Sequence, residues 1–173
     1  MKRCHSKTVI LERQDHGLSR TLIDPDALWI LRKLRREGFM AYLVGGAVRD
    51  ILLGRQPKDF DIGTDAPPSR LRMMFRNSRT IGRRFRIIHV FFRRKGEPEK
   101  VIEVSTFRGT RLWQEHDEVH PDDVDQTGNA FGTPEEDALR RDFTVNALFY
   151  DISDFRILDH TCGLEDLEKR LIR

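Results

Sequence analysis

The chain has 173 residues, the size of one ordinary domain, since domains usually hold about 100 to 200 residues. Hydrophobic residues make up 38% and charged residues 34%, a composition that excludes a wholly disordered chain and a membrane-embedded one. Lysine plus arginine number 31 and aspartate plus glutamate 28, so the net charge of +3 indicates only a mild preference for anionic partners.

Localisation signals are scarce in this sequence. Cys4 and Cys162 cannot form a disulfide framework, and neither lies in a cluster with zinc-ligand spacing. The first 17 residues hold one short apolar run, far below the ~18 residues of a membrane helix. We therefore expect a cytoplasmic protein with no membrane partner, and nothing here indicates an oligomeric state.

The first part of the chain predicts a helix, a strand, a glycine turn and a second helix. Residues 1–23 have no periodic apolar pattern and are expected to form a flexible basic arm. Asp24 and Pro25 are typical of a helix start, and Gly38 of its end. The apolar run 39–44 predicts a strand, and residues 47–53 after the glycines predict a short helix.

The rest of the chain alternates strand and helix patterns. Period-two alternation predicts a strand at 59–62, and Pro67 and Pro68 begin a helix. The β-rich runs 86–92 and 100–107 predict a hairpin. The polar stretch 109–132 is expected to be a flexible insertion, and Thr133 predicts the start of a helix that ends near Arg140. These elements place one α+β domain at 24–160.

The strongest local signal is the segment GGAVRD, residues 45–50, between a predicted strand and a predicted helix. Gly45 and Gly46 permit close approach of an anion to the backbone, and the Arg49 guanidinium supplies donors for phosphate. A tight connection with no ligand is the alternative interpretation of the same turn.

Two aspartates follow this turn at a spacing that suits divalent cations. On a strand, Asp59 and Asp61 would point the same way, about 6 to 7 Å apart along the chain. Mg²⁺ prefers carboxylate oxygen, and a two-metal site can activate a hydroxyl and neutralise a leaving pyrophosphate. A solvated strand face is the alternative. A third carboxylate could come from Glu103, within an apolar strand, or from Asp142, beside two arginines that could neutralise its charge. For Asp142, a surface salt-bridge cluster is the alternative.

Four segments resemble a known family in order along the chain: LVGGAVRDILLG (43–54), KDFDI (58–62), IEVSTFRG (102–109) and RRDFTVNALFYD (140–151). Together they are similar to the N-terminal head domain of the class II family of bacterial poly(A) polymerases and tRNA CCA-adding nucleotidyltransferases. The resemblance implies an α+β palm of the polymerase-β type, with a mixed or antiparallel sheet flanked by helices.

The resemblance also implies roles for individual residues. The implied metal ligands are Asp59, Asp61 and Glu103, which would hold two Mg²⁺ ions or Mn²⁺ in their place. Asp142 is favoured for an essential catalytic role, and the choice between Glu103 and Asp142 as third carboxylate stays open. The implied nucleotide-binding residues, with ATP as substrate, are Gly45, Gly46, Arg49, Arg140, Arg141 and Asn146.

The product class is indicated by the segment IGRRFRIIHV, residues 81–90, which looks like that of poly(A) polymerases. Nine arginines lie between residues 70 and 94, enough to place several guanidinium groups on an RNA backbone, although a solvated helix face and hairpin would explain them too. The expected RNA contacts are Arg83, Arg84, Arg86 and Arg108. His89 is interpreted as a strand histidine and not as a catalytic base.

These patterns favour a nucleotidyltransferase head that adds AMP from ATP to RNA 3′ ends. CCA addition to tRNA is the alternative within the class, and an inactive RNA-binding module is the alternative outside it. Residues 161–173 are expected to begin a helical neck. The family's EDxxRxxR-type neck motif is not matched, because Arg170 falls one position late, so the chain is expected to be a fragment or a truncated relative.

Overall fold

The computed structural model describes residues 8–82, 86–112 and 129–173. Within these residues the helices are α1 (Pro25–Arg36), α2 (Gly46–Leu52), α3 (Pro68–Met74), α4 (Pro134–Leu139) and α5 (Gly163–Glu168). The strands are β1 (Val9–Leu11), β2 (Ala41–Val44), β3 (Asp61–Thr64), β4 (Ser78–Ile81), β5 (Ile87–Phe92), β6 (Lys100–Thr106), β7 (Arg108–Leu112), β8 (Asn129–Phe131), β9 (Leu148–Asp151) and β10 (Arg156–Asp159). None of the helices in these ranges is long and apolar enough to cross a membrane.

Eight strands form one mixed sheet in the order β1-β10-β9-β2-β3-β6-β5-β4. Strands β3 and β6 run parallel, and the other paired neighbours in this sheet run antiparallel. Strands β7 and β8 form a separate antiparallel pair. The predicted α+β fold, a mixed sheet flanked by helices, is confirmed, as is the predicted hairpin between β5 and β6.

The helix ends follow the capping residues in the sequence. Asp24 accepts a hydrogen bond from the backbone N–H of Asp26 at 2.8 Å, and Pro25 occupies the first turn of α1. Thr133 and Glu136 form a capping box at the start of α4, with each side chain accepting from the other's backbone N–H. Both predicted starts are confirmed.

The two faces of the sheet have different cores. On one face, α1, α2 and α3 cover a large cluster to which alternate strand residues such as Leu43, Ile62 and Val104 contribute. On the other face, Phe107, Phe149 and neighbouring residues form a smaller cluster beneath α4. Part of this second face is therefore left open, and it is the face to which Asp61 and Glu103 belong by alternation.

The expectation of a flexible arm over residues 1–23 is wrong for residues 8–23. Strand β1 pairs with β10, in the register Val9 with Asp159, and Leu18 and Ile23 are buried. A three-residue strand is too short to show a period, so its few apolar residues did not predict order. Residues 1–7 lie outside the described part of the chain.

Two further expectations differ from the structure. The strand predicted at 59–62 begins at Asp61, where β3 first pairs with β2 and β6, so Asp59 precedes the strand. The two ends of the insertion predicted at 109–132 pair with each other as β7 and β8. Its middle, residues 113–128, lies outside the described residues. Strands β4, β9 and β10 had no predicted counterpart.

Candidate active site

Asp61 and Glu103 are direct neighbours across two parallel strands, in register at the start of β3 and within β6. Burial raises the pKa of the Asp61 carboxyl, and the negative charges of Glu103 and Asp59 raise it further, while Arg141 acts in the opposite direction. The ionised form of Asp61 therefore lacks sufficient compensation from the protein. A cation beside Asp61 would supply the missing positive charge.

Asp59 lies in the exposed segment before β3 and not on the strand. The same-face geometry predicted from period-two spacing therefore does not hold. Asp59 nevertheless lies close enough to Asp61 to affect its pKa. The acidic group is thus assembled from two adjacent strands and the segment leading into one of them.

Three arginines, Arg108, Arg140 and Arg141, line the same cavity of about 280 Å³ as Asp61 and Glu103, and we call them the arginine wall. The cavity is also bounded by Asp61, Glu103, Ser105, Asp137, Asp142 and Asn146. Burial lowers the pKa of the Arg108 guanidinium; Asp137 opposes this, and the positive charges of Arg140 and Arg141 lower it further. One small cavity is therefore lined by both carboxylates and guanidinium groups, the combination that a metal-bound triphosphate requires.

Asp137 holds two members of the arginine wall. Arg141 Nη2 donates to Asp137 Oδ2 at 3.0 Å, and the backbone N–H of Arg108 donates to Asp137 Oδ1 at 3.2 Å. Arg141 Nη1 also donates to the Asn146 carbonyl at 3.3 Å, and Arg140 donates to the Gly109 carbonyl. The buried Arg141 Nε has no hydrogen-bond partner within the described residues. Arg141 therefore keeps donor capacity for an anion.

The glycine turn lies beside two residues of the same cavity through Gly45. Gly45 has φ +76°, and a Cβ there would lie 3.4 Å from Arg141 Nη1 and 3.5 Å from Asp61 Oδ2. Arg49, one turn along α2, donates through Nη1 to Asn146 Oδ1 at 2.5 Å and through Nε to Asp50 at 2.9 Å. Of the predicted nucleotide-binding residues, Arg140, Arg141 and Asn146 line this cavity, and Gly45 lies against Arg141 and Asp61. Arg49, beside Gly46, lines a neighbouring cavity that shares Asn146.

The two candidates for third carboxylate occupy different places. Glu103 is beside Asp61, whereas Asp142 is an exposed residue after α4 that lines the same cavity. Within the described residues Asp142 makes no ion pair, so the surface salt-bridge cluster considered as its alternative is not formed there; Arg141 pairs with Asp137 instead.

The expected RNA contacts are spread over different environments. Arg108 belongs to the arginine wall, and Arg86 is half-buried just before β5. Arg83 and Arg84 lie outside the described residues. The structure therefore does not place these four arginines on one RNA-binding surface.

Sequence reasoning missed Asp137 and the contact of His89 with the acidic pair. Asp137 resembles one more acid in the first turn of α4, where acids favour the helix dipole, so its sequence context hides its second role. His89 Nε2 lies 3.2 Å from Glu103 Oε1 across β5 and β6. The strand position expected for His89 is confirmed.

The residues fit a divalent metal through their donor chemistry. Three carboxylates of the acidic group supply the oxygen ligands that hard cations prefer, and burial together with the neighbouring negative charges raises the pKa of Asp61. In the ranges that the structure describes, no three acidic, histidine or cysteine side chains form a ready-made cluster around one ion. The fit therefore rests on the identity and charge of the group, and Asp59 is its exposed member.

Comparison with known proteins gives a consistent family. Residues 41–173 match the model of the poly(A) polymerase head domain. Poly(A) polymerase I of Salmonella typhi is 47% identical over 169 residues, which cover 95% of this chain and 35% of that protein. The CCA-adding enzyme of Lactobacillus johnsonii is 41% identical over 147 residues, or 85% of this chain and 34% of that protein.

Among solved structures, the Bacillus stearothermophilus CCA-adding enzyme in complex with CTP matches with a TM-score of 0.68 and 34% identity. The match covers 87% of this chain and 34% of that one. The chain therefore spans about a third of the length of the proteins it resembles.

Proposed function

Because the chain belongs to the poly(A) polymerase head domain family, we propose that it is the catalytic head of an enzyme that adds AMP from ATP to RNA 3′ ends. In this reaction the RNA 3′-hydroxyl loses its proton and attacks the α-phosphorus, and pyrophosphate leaves. The observation that carries the proposal is the cavity that Asp61 and Glu103 line together with Arg108, Arg140 and Arg141.

The acidic group would hold the metal. Asp61 and Glu103, with Asp59 from the preceding segment, are the proposed ligands of Mg²⁺, or of Mn²⁺ in its place. When bound, the metal ions lower the pKa of the attacking hydroxyl and neutralise charge on the phosphates. We propose Glu103 as the third carboxylate because it is the register neighbour of Asp61, and Asp142 as a further residue of the same cavity.

The arginine wall would hold the triphosphate. Arg141 is fixed by Asp137 and by the Asn146 carbonyl, so its remaining donors keep their direction before a nucleotide arrives. Donors already in place lose little freedom on binding and stabilise the charge that moves onto the leaving pyrophosphate. Arg108 and Arg140 add positive charge to the same wall.

Arg49 and Gly45 would shape the remaining side of the nucleotide site. Gly45 leaves open the space where a Cβ would meet both Asp61 and Arg141. Arg49 reaches Asn146, so the segment that follows α4 is tied to α2. We place the triphosphate near Gly45 and Arg49, and the ribose near Asn146.

CCA addition to tRNA is the second candidate function. The CCA-adding enzyme of Lactobacillus johnsonii is 41% identical to this chain, and a solved CCA-adding structure holds CTP. AMP addition is favoured by the higher identity, 47%, to a poly(A) polymerase over more of the chain. The intact acidic group argues against an inactive RNA-binding module. A cytoplasmic location accords with the proposed substrates.

The decisive experiment supplies the native protein that carries this chain with an oligo(A) primer and, separately, with a tRNA that lacks its CCA end. Each acceptor receives Mg²⁺ with labelled ATP or labelled CTP. Repeated AMP addition to oligo(A) supports the proposal, and Asp61→Asn should abolish it. Incorporation of CTP into the tRNA, with no extension of oligo(A), would establish the CCA alternative instead.

A further inference from the structure

A basic groove runs over the sheet edge formed by β4, away from the candidate active site. Its first part, of about 590 Å³, lies between α1 and α3, and its second part, of about 260 Å³, lies against β4 and the end of β5. Arg76 and Asn77 line both parts, so the two parts meet at these residues. We call it the edge groove, and its main residues are Trp29, Lys33, Arg70, Arg76, Arg79 and Arg93.

The edge groove carries a strong excess of positive charge. Five of its lining residues are lysine or arginine, and one, Glu37, is acidic. Arg70 and Arg76 have no ion-pair partner within the described residues, whereas Arg93 pairs with Glu99. Unpaired guanidinium groups along a groove are the usual means of following a phosphate backbone.

An aromatic side chain stands in the first part of the groove. Trp29 is 40% exposed, which is unusual for so large an apolar residue. Its ring packs edge-on against Phe75 and Phe92, with ring centroids 5.8 Å away in each case. Lys33 Nζ lies 5.2 Å from the Trp29 ring centroid and donates to the Met74 carbonyl at 2.6 Å. Trp29 is therefore held in place while part of it stays accessible.

The second part of the groove leads towards the candidate active site. The Arg79 guanidinium lies 5.6 Å from the Phe91 ring centroid, and the Phe91 and His89 rings are 6.4 Å apart. His89 Nε2 in turn lies 3.2 Å from Glu103 Oε1. Phe91 and His89, alternate residues of β5, thus form the Phe91–His89 row on one face of the sheet, between Arg79 on β4 and Glu103 on β6.

We propose that the edge groove binds single-stranded RNA upstream of the 3′ end that enters the cavity. The strand would cross β4 at Arg76 and Arg79 and follow the Phe91–His89 row to Glu103. The positive charge and the aromatic residues of the groove support the binding of RNA. The direction of the strand rests on the proposed function, which places the reacting 3′ end in the cavity.

A single strand fits this surface better than the other anionic polymers. A cationic groove combined with an accessible aromatic ring is typical of single-stranded nucleic acid sites, because unpaired bases can stack on the ring while phosphates meet the arginines. The bases of a duplex are already stacked on each other and cannot use Trp29. An acidic peptide would use the arginines and leave Trp29 without a partner.

The test measures binding of a fluorescent 20-nucleotide oligo(A) to this chain without nucleotide or Mg²⁺, by anisotropy at several salt concentrations. The variant is R76Q/R79Q. The matched control, R13Q/R156Q, removes the same charge at the opposite end of the sheet, where Arg13 lies over Phe155 and Arg156 pairs with Glu12. We expect R76Q/R79Q to weaken binding about tenfold at 50 mM salt and to reduce the salt slope by about 1.4, or about 0.7 for each phosphate contact. The affinity of the control for oligo(A) should fall far less.

A second readout reports on Trp29 directly. The sequence contains two tryptophans, so Trp113→Phe leaves Trp29 as the sole intrinsic probe. Oligo(A) should quench its fluorescence, and duplex RNA or polyglutamate of equal charge should not. Equal quenching by polyglutamate would identify an acidic protein segment as the occupant and overturn the proposal. Equal quenching by duplex RNA, or equal losses of affinity in R76Q/R79Q and the control, would overturn it as well.

Failure of this proposal can be distinguished from failure of the proposed function. In the native protein, extension of a primer too short to reach the edge groove should be the same in R76Q/R79Q and wild type, and a long primer should be extended less well. Loss of extension on every primer in the wild type would contradict the proposed function and leave the RNA-binding measurement to decide the edge groove separately.

Discussion

Asp137 and Arg141 lie four residues apart, and their contact at 3.0 Å fixes the guanidinium that lowers the pKa of Asp61. The Asp137 side chain is 9% exposed, and its other oxygen accepts the Arg108 backbone N–H. One buried carboxylate therefore positions two residues of the arginine wall. Asp137 lines the cavity, but both of its oxygens accept hydrogen bonds from the arginine wall, so we regard it as a positioning residue.

Asp137→Asn should weaken binding of Mg²⁺·ATP about tenfold, a change of ~1.4 kcal/mol, because Arg141 loses its charged partner and its fixed direction. The free energy of unfolding should fall by about 1.5 to 3 kcal/mol, the usual contribution of a hydrogen bond to a charged group. Calorimetric titration and chemical unfolding measure the two effects. Glu135→Gln, on an exposed position of the same helix, is the matched control.

A purely structural role for Asp137 would show a different pattern. Stability would then fall while ATP bound with unchanged affinity to the folded fraction. That outcome would remove Asp137 from the proposed nucleotide site, although its hydrogen bonds to Arg141 and Arg108 would remain part of the fold.

Asp61→Asn should reduce the proposed AMP transfer by at least about 100-fold, because the variant lacks a proposed metal ligand. The same variant should be more stable than the wild type at pH 7 without metal. The raised pKa of Asp61 means that the folded state holds its proton more tightly than the unfolded state does, so stability falls as the pH rises above the unfolded value of 3.8. Replacing the Asp61 carboxylate by an uncharged amide removes this loss of stability.

Thermal unfolding between pH 3 and 8 measures this effect. The advantage of Asp61→Asn should be largest at neutral pH and should vanish below about pH 3.8, where the carboxyl is protonated in both states. Added Mg²⁺ should raise the melting temperature of the wild type more than that of the variant. Asp154→Asn, an exposed acid far along the chain, should show neither effect. A variant less stable than the wild type at pH 7 would contradict the electrostatic account.

Arg49→Ala should weaken ATP binding more than RNA binding. Arg49 reaches Asn146 through a 2.5 Å hydrogen bond and lies beside Gly46, both on the proposed nucleotide side of the cavity. We expect about a tenfold higher dissociation constant for Mg²⁺·ATP, or ~1.4 kcal/mol, and little change for oligo(A). Asn146→Ala should have a similar effect if the two residues act together. Loss of RNA affinity with unchanged ATP affinity would move Arg49 to the RNA side.

The sequence predicted those parts of the fold that depend on local signals. The starts of α1 and α4 follow from Asp24 and Thr133, whose side chains cap the helices, and the β5–β6 hairpin follows from two β-rich runs around a glycine and proline loop. Strand β1 depends instead on pairing with β10, nearly 150 residues away, and its three residues hold no local pattern. The order of this segment therefore depends on long-range pairing, which its composition does not show.

The candidate site could likewise be predicted only where local sequence signals determine it. Residue types and order predicted the acidic and basic groups, but the register that puts Glu103 beside Asp61 is a property of two parallel strands far apart in sequence. The role of Asp137 could not be predicted, because one acid in an acidic first helical turn gives no sign that it faces two arginines. Asp59 was assigned to a strand because alternation cannot show where pairing begins.

Gly45→Ala should lower both stability and ATP affinity, and Gly54→Ala separates the two effects. Both glycines have positive φ, +76° and +68°, so either substitution strains the backbone by about 1 to 3 kcal/mol. Only at Gly45 would the new Cβ meet the site, at 3.4 Å from Arg141 Nη1 and 3.5 Å from Asp61 Oδ2, whereas nothing lies within 4 Å at Gly54. We therefore expect similar losses of unfolding free energy by chemical denaturation, together with a tenfold or greater loss of Mg²⁺·ATP affinity, at least ~1.4 kcal/mol, for Gly45→Ala alone. Equal ATP affinities in the two variants would show that the space beside Gly45 is not used by the nucleotide, and that this glycine serves the turn between β2 and α2 only.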